Sequence, residues 1–274
     1  MERLHTYSSD SFADDLEYYS NSYNSKSETK VVKGDSEHET HRSRTASAPI
    51  ATSSNALLNS LPKNLFNALR PSLRSVFLEE DQYLYFQDGR LDYLYFPETA
   101  VISELRSLED GRMVEVAITG REGAVGFSAL FGSSLAANCT QVSQAGSAVR
   151  IESSAFEKLL RTNTDLAKMF TPHMDHYIRQ ISQRAICNMY HSVKERLCTW
   201  LLLVQDRCGK KTLKLTHEQI ARILGVYRPS VTCIALEMRK NKLINYSRGG
   251  LSISDRGRME SSACDCYMEL AGVV

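Results

Sequence analysis

The sequence predicts an α+β protein: an antiparallel β domain, then a long helix, then a helix-turn-helix followed by a β-hairpin. Three observations carry this prediction. Short alternating runs bounded by Asp-Gly dipeptides lie between residues 82 and 119, a helical pattern covers residues 164–190, and two amphipathic helices flank a short turn within residues 215–244. Alternation with a period of two is typical of half-buried strands, whereas spacings of three and four are typical of helices.

Length and charge set the first bounds on function. A chain of 274 residues can form more than one hydrophobic core. The net charge is +1, but residues 190–260 carry 14 Lys/Arg against 6 Asp/Glu, while residues 1–55 carry 6 against 9. A polyanionic partner is therefore expected at the basic C-terminal part.

The N-terminus and the cysteines predict a cytoplasmic protein. "MERLHTYSSD" has no apolar leader region, and no apolar run approaches the roughly 18–20 residues that cross a bilayer, so neither export nor a membrane partner is expected. The seven Cys are odd in number and irregularly spaced, which is typical of thiols in a reducing cytosol.

Residues 1–55 are predicted to be a disordered arm. They contain 12 Ser, four Tyr and few aliphatic residues, with no sustained period of 2 or 3.6. Such a stretch does not bury enough apolar surface to offset the ordering of the chain. A regulatory tail or a misassigned translation start would give the same pattern.

Residues 56–163 are predicted to form the β domain. It opens with short helices, because leucines recur at helical spacing between prolines: Leu57, Leu61, Leu65 and Leu69, with Pro62 and Pro71. The strand-like runs that follow cover residues 82–89, 91–97, 100–108, 112–119 and 148–151. Asp88-Gly89 and Asp110-Gly111 predict turns, and Asp110-Gly111 is the stronger hairpin signal because alternating strands flank it. The pattern indicates an antiparallel sandwich or barrel that ends in a helix capped by Ser153 or Ser154.

Residues 164–190 are predicted to form one long helical region. A stripe with coiled-coil spacing runs along it: Phe170, Met174, Tyr177, Ile181, Arg184 and Asn188. This stripe predicts either a dimerisation seam or a helix packed on its own domain, and its two polar members weaken the seam. Pro172 would interrupt the helix unless the helix starts there with Thr171 as its N-cap.

Residues 191–262 are predicted to form the C-terminal domain, with residues 263–274 as a tail. The first helix has an apolar face typical of a core helix: Val193, Leu197, Trp200, Leu201 and Val204. Thr216 and Gln219 form a capping box at the start of the next helix, and Gly225 allows a sharp turn after it. Arg228 is the expected N-cap of the following helix, because the residue before a proline avoids the α region.

That last helix has the features of a DNA-reading helix. A helix-turn-helix places the N-terminal end of its second helix in the major groove, so Arg228 could contact a guanine edge, and Ser230 and Thr232 could contact bases or phosphates. Two short strands around Gly249-Gly250 predict a hairpin wing with Arg248 at its tip, which would contact phosphate without reading sequence. A helical hairpin with a solvated charged face is the alternative for the helix pair alone.

This order of parts resembles the Crp/Fnr superfamily of bacterial transcription regulators over roughly residues 60–260. The segments that carry the resemblance are "LDYLYFPETAVIS", "GREGAVG", "HSVKERLCTWLLL" and "LTHEQIARILGVYRPSVT". It implies a cyclic-nucleotide-binding-like β-roll sensor domain, a dimerisation helix and a winged helix-turn-helix DNA-binding domain. It also implies a homodimer on a pseudo-palindromic operator in double-stranded DNA, RNA polymerase as a further partner, and the nucleoid as location.

Departures from the family pattern limit the ligand of the roll. Members that bind cAMP have a Gly-Glu step, followed about ten residues later by an Arg pair. Here Phe127 follows Gly126 in place of the Glu, and Asn138-Cys139 replace the Arg pair. Without that arginine the roll has no countercharge for a phosphodiester, so cAMP is not the expected signal. The signal and its binding residues stay unidentified.

No cofactor or metal is expected. Iron–sulfur relatives use an N-terminal cysteine cluster, but no Cys precedes Cys139, and haem relatives use a His in the roll, which contains none here. His173 and His176 are interpreted as packed or solvated histidines. Cys264 and Cys266 could be a redox or metal pair, but two thiols one residue apart are a weak motif, and free thiols are favoured.

DNA reading also departs from the best-known members. Those place a Glu directly after the recognition Arg, where it accepts a hydrogen bond from cytosine, and this chain has Pro229 there. A second base-reading arginine is replaced by Cys233. The resemblance therefore carries Arg228 over and leaves the operator sequence open. The predicted DNA-binding residues are Thr216, His217, Tyr227, Arg228, Ser230, Thr232, Cys233 and Arg248.

Two other classes of protein are weighed against a regulator. A sensor or scaffold of the same fold would act through protein contacts without specific DNA binding, and the salt dependence of duplex binding would separate it from a regulator. A cupin-type metal enzyme would need His ligands that the β domain lacks. No Ser/His/Asp set, phosphate-binding loop or carboxylate pair stands out, so no enzymatic activity is expected.

Overall fold

The computed structural model describes residues 50–247 and 250–271, so most of the predicted arm lies outside the described residues. The last residues of the predicted arm, residues 50–55, belong to the folded domain. Asn55 is fully buried, and its amide nitrogen donates to the carbonyls of Pro97 and Gly123 at 2.7 and 2.8 Å. The folded part therefore begins before the predicted boundary at residue 55. Composition hides this boundary because the polar atoms of Asn55 find partners only once the chain is folded.

Two short helices lead into the β domain: α1, Ala56–Asn59, and α2, Lys63–Leu69. Their leucines at helical spacing are buried, as predicted. A 3-10 turn that contains Pro71 ends the helical stretch. The chain then continues as strand β1, Arg74–Leu78, which no strand-like run of the sequence predicted. Proline has no amide to continue the helical hydrogen bonding, which explains the change.

The β domain consists of two antiparallel sheets. Its other strands are β2, Tyr83–Tyr85; β3, Tyr93–Pro97; β4, Val101–Ser107; β5, Met113–Thr119; β6, Cys139–Gln144; and β7, Gly146–Glu152. One sheet has the order β1-β7-β3, and the other has the order β2-β6-β4-β5. β6 was not predicted, because its polar residues Thr140, Gln141 and Gln144 are buried and no alternation marks it.

The two Asp-Gly turns have different roles. Asp110-Gly111 closes the β4–β5 hairpin, as predicted, with Gly111 at φ +83° and Asp110 Oδ1 accepting from the Arg112 amide at 3.0 Å. At Asp88-Gly89 the Gly89 amide donates to the Phe86 carbonyl at 2.9 Å, but the strands on either side belong to different sheets. This turn therefore leads from one sheet to the other.

The helices that follow are α3, Ser153–Thr162, and α4, Thr164–Tyr190. Glu152 stands at the N-cap of α3 and makes no side-chain cap bond, so the predicted serine cap is wrong. α4 continues through Pro172, so the predicted start with Thr171 as N-cap is also wrong. Thr171 and Pro172 are both exposed. Water can therefore bind the carbonyl that has no amide donor because of Pro172.

The C-terminal domain follows α4. Its elements are α5, Val193–Cys208; β8, Thr212–Leu213; α6, His217–Leu224; α7, Arg228–Lys240; β9, Ile244–Ser247; β10, Gly250–Ile253; α8, Arg256–Ser262; and α9, Cys266–Ala271. The predicted apolar face of α5 lies in its core. Tyr267 and Leu270 of α9 lie in the same core, so part of the predicted tail belongs to the domain. Among the described helices, none combines the length and the apolar character needed to cross a membrane.

A buried carboxylate joins the β domain, α4 and α5. Glu115 of β5 pairs with Arg184 of α4, and the two side chains are 1% and 5% exposed. Its other oxygen accepts from Trp200 Nε1 of α5 at 3.0 Å and from Ser103 Oγ at 2.6 Å. Burial raises the pKa of Glu115, against the opposing effect of the Arg184 guanidinium. One side chain thus connects three parts of the molecule.

A second buried ion pair attaches α5 to the β domain. Arg207 Nε lies 2.7 Å from Oε1 of Glu122, in the loop after β5, and both side chains are almost fully buried. Gly120 permits this approach, because a Cβ at that position would lie 2.5 Å from Cβ of Arg207. The C-terminal domain is therefore held on the β domain at two points of α5.

Glu115→Ala should lower the free energy of unfolding by about 3–5 kcal/mol, because it leaves the Arg184 charge and the Trp200 N–H buried without their acceptor. Urea unfolding followed by tryptophan fluorescence measures this. The matched control is Glu157→Ala, which breaks the exposed Glu157–Arg161 pair and should cost less than about 1 kcal/mol. Equal losses in the two variants would show that the buried contacts of Glu115 contribute no more to stability than the exposed Glu157–Arg161 pair does.

Candidate nucleic-acid interface

The helix-turn-helix forms as predicted. The Thr216 side chain accepts from the Gln219 amide at 3.2 Å, and Gln219 Oε1 accepts from the Thr216 amide at 2.7 Å, so a capping box fixes the start of α6. Gly225 ends α6 with φ +64°, and a Cβ there would approach Val114 of β5 to 3.1 Å. A side chain at residue 225 would therefore strain the turn.

The second helix starts one residue earlier than predicted. Tyr227 is the N-cap, with φ −73° and ψ 140°, and Arg228 and Pro229 are the first and second helical residues. Pro229 is accommodated because the amides of a first helical turn have no partner within the helix. The predicted N-cap role of Arg228 is therefore wrong, but its side chain still leaves the chain at the N-terminal end of α7.

α7 has one buried face and one exposed face. Val231, Ala235 and Met238 are buried in the core of the domain. The exposed face carries Arg228, Ser230, Cys233, Arg239 and Lys240. Cations together with a hydroxyl and a thiol are suited to contacts with phosphates and base edges.

Thr232 and His217 connect the two helices. Thr232 Oγ1 lies 3.0 Å from Nδ1 of His217 and donates to the Arg228 carbonyl at 3.2 Å. The His217 ring also packs edge-on against Tyr246 of β9, with ring centroids 5.4 Å apart. Burial, and then the positive charge of Arg228, lowers the pKa of His217. The Thr232 hydroxyl, predicted to face DNA, therefore bonds within the domain and positions α7 against α6.

The predicted hairpin follows α7. β9 and β10 pair antiparallel from Ser247 opposite Gly250 to Ile244 opposite Ile253. β8 pairs with β10 as a third strand, and its two residues are too short a run to predict. Arg248, the predicted wing tip, lies outside the described residues.

α6 lies against the β domain, whereas α7 stays accessible. Gln219 Nε2 donates to Asp81 Oδ2 at 2.7 Å, and Arg222 Nη1 donates to the Tyr83 hydroxyl at 3.3 Å. A cavity of about 10 Å³ remains between these surfaces, which is room for about one water molecule. The polar side of α6 is thus occupied by the protein's own β domain.

Aromatic side chains pack around Phe127, which stands where the family pattern has the Glu of the Gly-Glu step. Phe127 packs against Phe170 and His173 of α4, with ring centroids 5.9 and 4.5 Å apart. Gly123 allows α4 to approach, because a Cβ there would lie 2.3 Å from His173 Cε1. His173 is 8% exposed, in agreement with its interpretation as a packed histidine. Gly126 adopts φ +94°, which favours glycine.

Asn138, at the position of the missing arginine, belongs to a polar triad. Its amide nitrogen donates to Glu104 Oε2 and to the Tyr177 hydroxyl, both at 3.2 Å, and that hydroxyl donates to Glu104 at 2.8 Å. Burial raises the pKa of Glu104, while the two hydrogen bonds lower it in part. At the position of the missing arginine the triad therefore supplies a carboxyl group and no cation, which does not suit the binding of a phosphodiester.

The two faces of α4 differ in burial. Two members of the stripe predicted from coiled-coil spacing pack within the chain: Phe170 is fully buried, and Arg184 is bonded to Glu115. Met174, Tyr177 and Ile181 are half-buried, and Asn188 is exposed. Packing on its own domain therefore describes Phe170 and Arg184, and a dimerisation seam along the other members stays a prediction. A second set of apolar side chains is exposed by 48–75%. We refer to it as the outer stripe, and it consists of Ile178, Ile186, Met189 and Tyr190. The sequence does not mark this stripe clearly, because its members lie 8, 11 and 12 residues after Ile178 with polar residues between them.

Two family models match the sequence. Residues 75–163 match the cyclic nucleotide-binding domain, and residues 195–262 match the Crp-like helix-turn-helix domain. Together these ranges cover more than half of the chain. No curated protein matches the sequence.

Several solved structures share the fold. A protein from Eubacterium rectale, described as a transcriptional regulator of the Crp/Fnr family, is 18% identical with a TM-score of 0.60, covering 75% of this chain and 96% of its own. FixK2 from Bradyrhizobium japonicum is 16% identical with a TM-score of 0.59, covering 70% and 98%. A CRP-family transcriptional regulator from Thermus thermophilus is 16% identical with a TM-score of 0.58, covering 69% and 96%.

Proposed function

Since this chain belongs to the Crp/Fnr superfamily of transcription regulators, we propose that it binds a pseudo-palindromic operator in duplex DNA as a homodimer, under the control of a signal received at the β roll. The observation that carries this proposal is the exposed face of α7. Arg228 leaves its first turn, and Val231, Ala235 and Met238 fix its other side in the core. Such a helix presents its N-terminal end to the major groove.

The outer stripe supports the dimer. Four large apolar side chains lie along one side of α4 in solvent, and burial against a second copy of α4 would remove them from water. A two-fold axis along this seam would relate two α7 helices, as a palindromic operator requires at a half-site spacing of about 34 Å. RNA polymerase as a partner and the nucleoid as location follow from a regulator's role and stay predictions.

The signal is proposed to be something other than cAMP. The Glu104–Tyr177–Asn138 triad supports this, because it presents a carboxyl group where a phosphodiester would need a cation. The packing of Phe127 against α4 also fills the position of the carboxylate that would hold a ribose hydroxyl in the family pattern.

Arg228→Ala should weaken binding to the operator by roughly 5- to 150-fold, equivalent to the loss of about 1–3 kcal/mol from one bidentate base contact, with little change in melting temperature. The operator is first selected from a random duplex pool, and affinity is then measured by fluorescence anisotropy at fixed salt. Arg121→Ala is the control, since it removes the same charge from an exposed loop of the β domain. Equal operator affinity for Arg228→Ala and the unmodified chain contradicts the assignment.

Ile186→Glu should convert the dimer to a monomer, because it places a charge in the outer stripe at its proposed seam. Sedimentation equilibrium of the full chain gives the mass. Leu108→Glu makes the same exchange at a side chain that is 57% exposed near the Asp110 turn and should leave the dimer intact. A dimer that tolerates Ile186→Glu would place the interface elsewhere.

An excess of cAMP should leave the melting temperature unchanged, because a ligand that binds only the folded state must raise it. Thermal unfolding with cAMP and with 5′-AMP as the control measures this. A rise in melting temperature with cAMP that 5′-AMP does not produce would contradict the proposal that the β roll does not bind cAMP.

A further inference from the structure

Three thiols and one imidazole meet where α4 ends. One ligand atom of each of Cys187, His191, Cys264 and Cys266 lies within 4.8 Å of the others. Cys187 lies in the last turn of α4, and His191 is the residue that follows the helix, with its amide donating to the Cys187 carbonyl at 3.2 Å. Cys264 lies in the loop between α8 and α9, and Cys266 is the first residue of α9. We refer to these four residues as the thiol–His cluster.

The spacing of the cluster fits one ion. Tetrahedral Zn²⁺ binds sulfur at about 2.3 Å and nitrogen at about 2.0–2.1 Å, so its ligands lie about 3.8 Å (S to S) and about 3.6 Å (S to N) apart. In the structure Cys187 Sγ lies 3.6 Å from Cys264 Sγ, and Cys266 Sγ lies 3.4 Å from His191 Nδ1. A four-iron cluster binds each of its thiolates to a different iron and therefore needs ligands that lie farther apart.

The surroundings orient the four ligands. Gln183 Nε2 donates to Cys266 Sγ at 3.0 Å, and the Thr199 hydroxyl lies 3.1 Å from Cys264 Sγ. His191 points Nδ1 at the cluster while Nε2 lies 3.4 Å from Asp265 Oδ1. A carboxylate on the far nitrogen is the partner that metal-binding histidines usually have, since it fixes the tautomer and the ring orientation.

Burial completes the site. The three Cys are buried, and the His191 side chain is 22% exposed, so an ion could enter from the His191 side and would then be shielded from water. We propose that the thiol–His cluster is a mononuclear site for a thiophilic divalent cation of the zinc class, with Cys187, His191, Cys264 and Cys266 as its four ligands. Four protein ligands leave no open position, so the site is structural and not catalytic.

The ion would join the end of the long helix to the last part of the C-terminal domain. Cys187 and His191 lie at the end of α4, and α5 begins two residues after His191. Cys264 lies between α8 and α9, Cys266 is the first residue of α9, and both helices pack on α5. Binding would hold these segments together without changing the exposed face of α7. An effect of the ion on operator affinity would rest on the proposed function, because that effect depends on where a dimer places its two α7 helices.

Cobalt titration of the full chain tests the site. Reduced protein is freed of metal with a chelator, Co²⁺ is added, and absorption is recorded. We expect one equivalent of Co²⁺ to produce intense visible bands of tetrahedral coordination and thiolate charge-transfer bands, and Zn²⁺ to abolish both by displacement. Zn²⁺ should also raise the melting temperature.

Variants assign the ligands. Cys264→Ser combined with Cys266→Ser should abolish the cobalt bands, and His191→Gln should shift and weaken them. Cys233→Ser removes an exposed thiol of α7 outside the cluster and should leave the spectrum unchanged. If the double Ser variant does not fold, His191→Gln gives the same test, because its side chain is partly exposed and its replacement leaves the three thiols in place.

Four results would overturn the proposal. They are no stoichiometric cobalt bands in the unmodified chain, bands that are unchanged in the His191 variant or that survive in the double Ser variant, iron with sulfide in the protein as isolated without reconstituted cobalt binding, or a Cys187–Cys264 disulfide with no metal uptake after reduction. These measurements use no DNA. Loss of operator binding with intact cobalt bands would therefore count against the proposed function alone, and the reverse result against the metal site alone.

Discussion

The buried carboxylate of Glu115 is the constraint on which the rest of the structure depends. It stands on β5, pairs with Arg184 of α4 and accepts from the indole of Trp200 in α5. A charge removed from water is costly unless every partner is in place, so the three segments fold around it together or leave it unpaired. The relative position of the β domain, the long helix and the C-terminal domain therefore depends on this short set of hydrogen bonds, which the Arg207–Glu122 pair supplements.

The long helix serves two purposes because its faces differ. Its inner side supplies Phe170 to the core and Arg184 to the central ion pair, while the outer stripe stays in solvent. A helix with apolar residues on both sides is expected between two packing partners. The first partner is the β domain of the same chain, and the proposed second partner is another copy. Pro172 is compatible with both because it faces solvent.

The β domain approaches α4 closely enough for a change in one to reach the other. Gly123 lies against His173, and Asn138 bonds to Tyr177, both across the surface between the β domain and α4. Glu122, in the same loop as Gly123, holds Arg207 of α5. Buried contacts of this kind resist gradual deformation, so a displaced α4 would move the C-terminal domain with it.

Much of the fold was determined by the sequence itself, because its signals are local. The capping box at Thr216 and the left-handed turn at Gly225 need only a few neighbouring residues, and both formed as predicted. The start of α7 and the role of Thr232 were decided by packing between helices, and β6 by burial of its polar residues on both faces. Only the tertiary structure decided which face of α4 is covered and brought Cys187 to Cys264. The Arg184–Glu115 and Cys187–Cys264 contacts join residues 69 and 77 positions apart. No local pattern encodes them, because they depend on how whole elements pack.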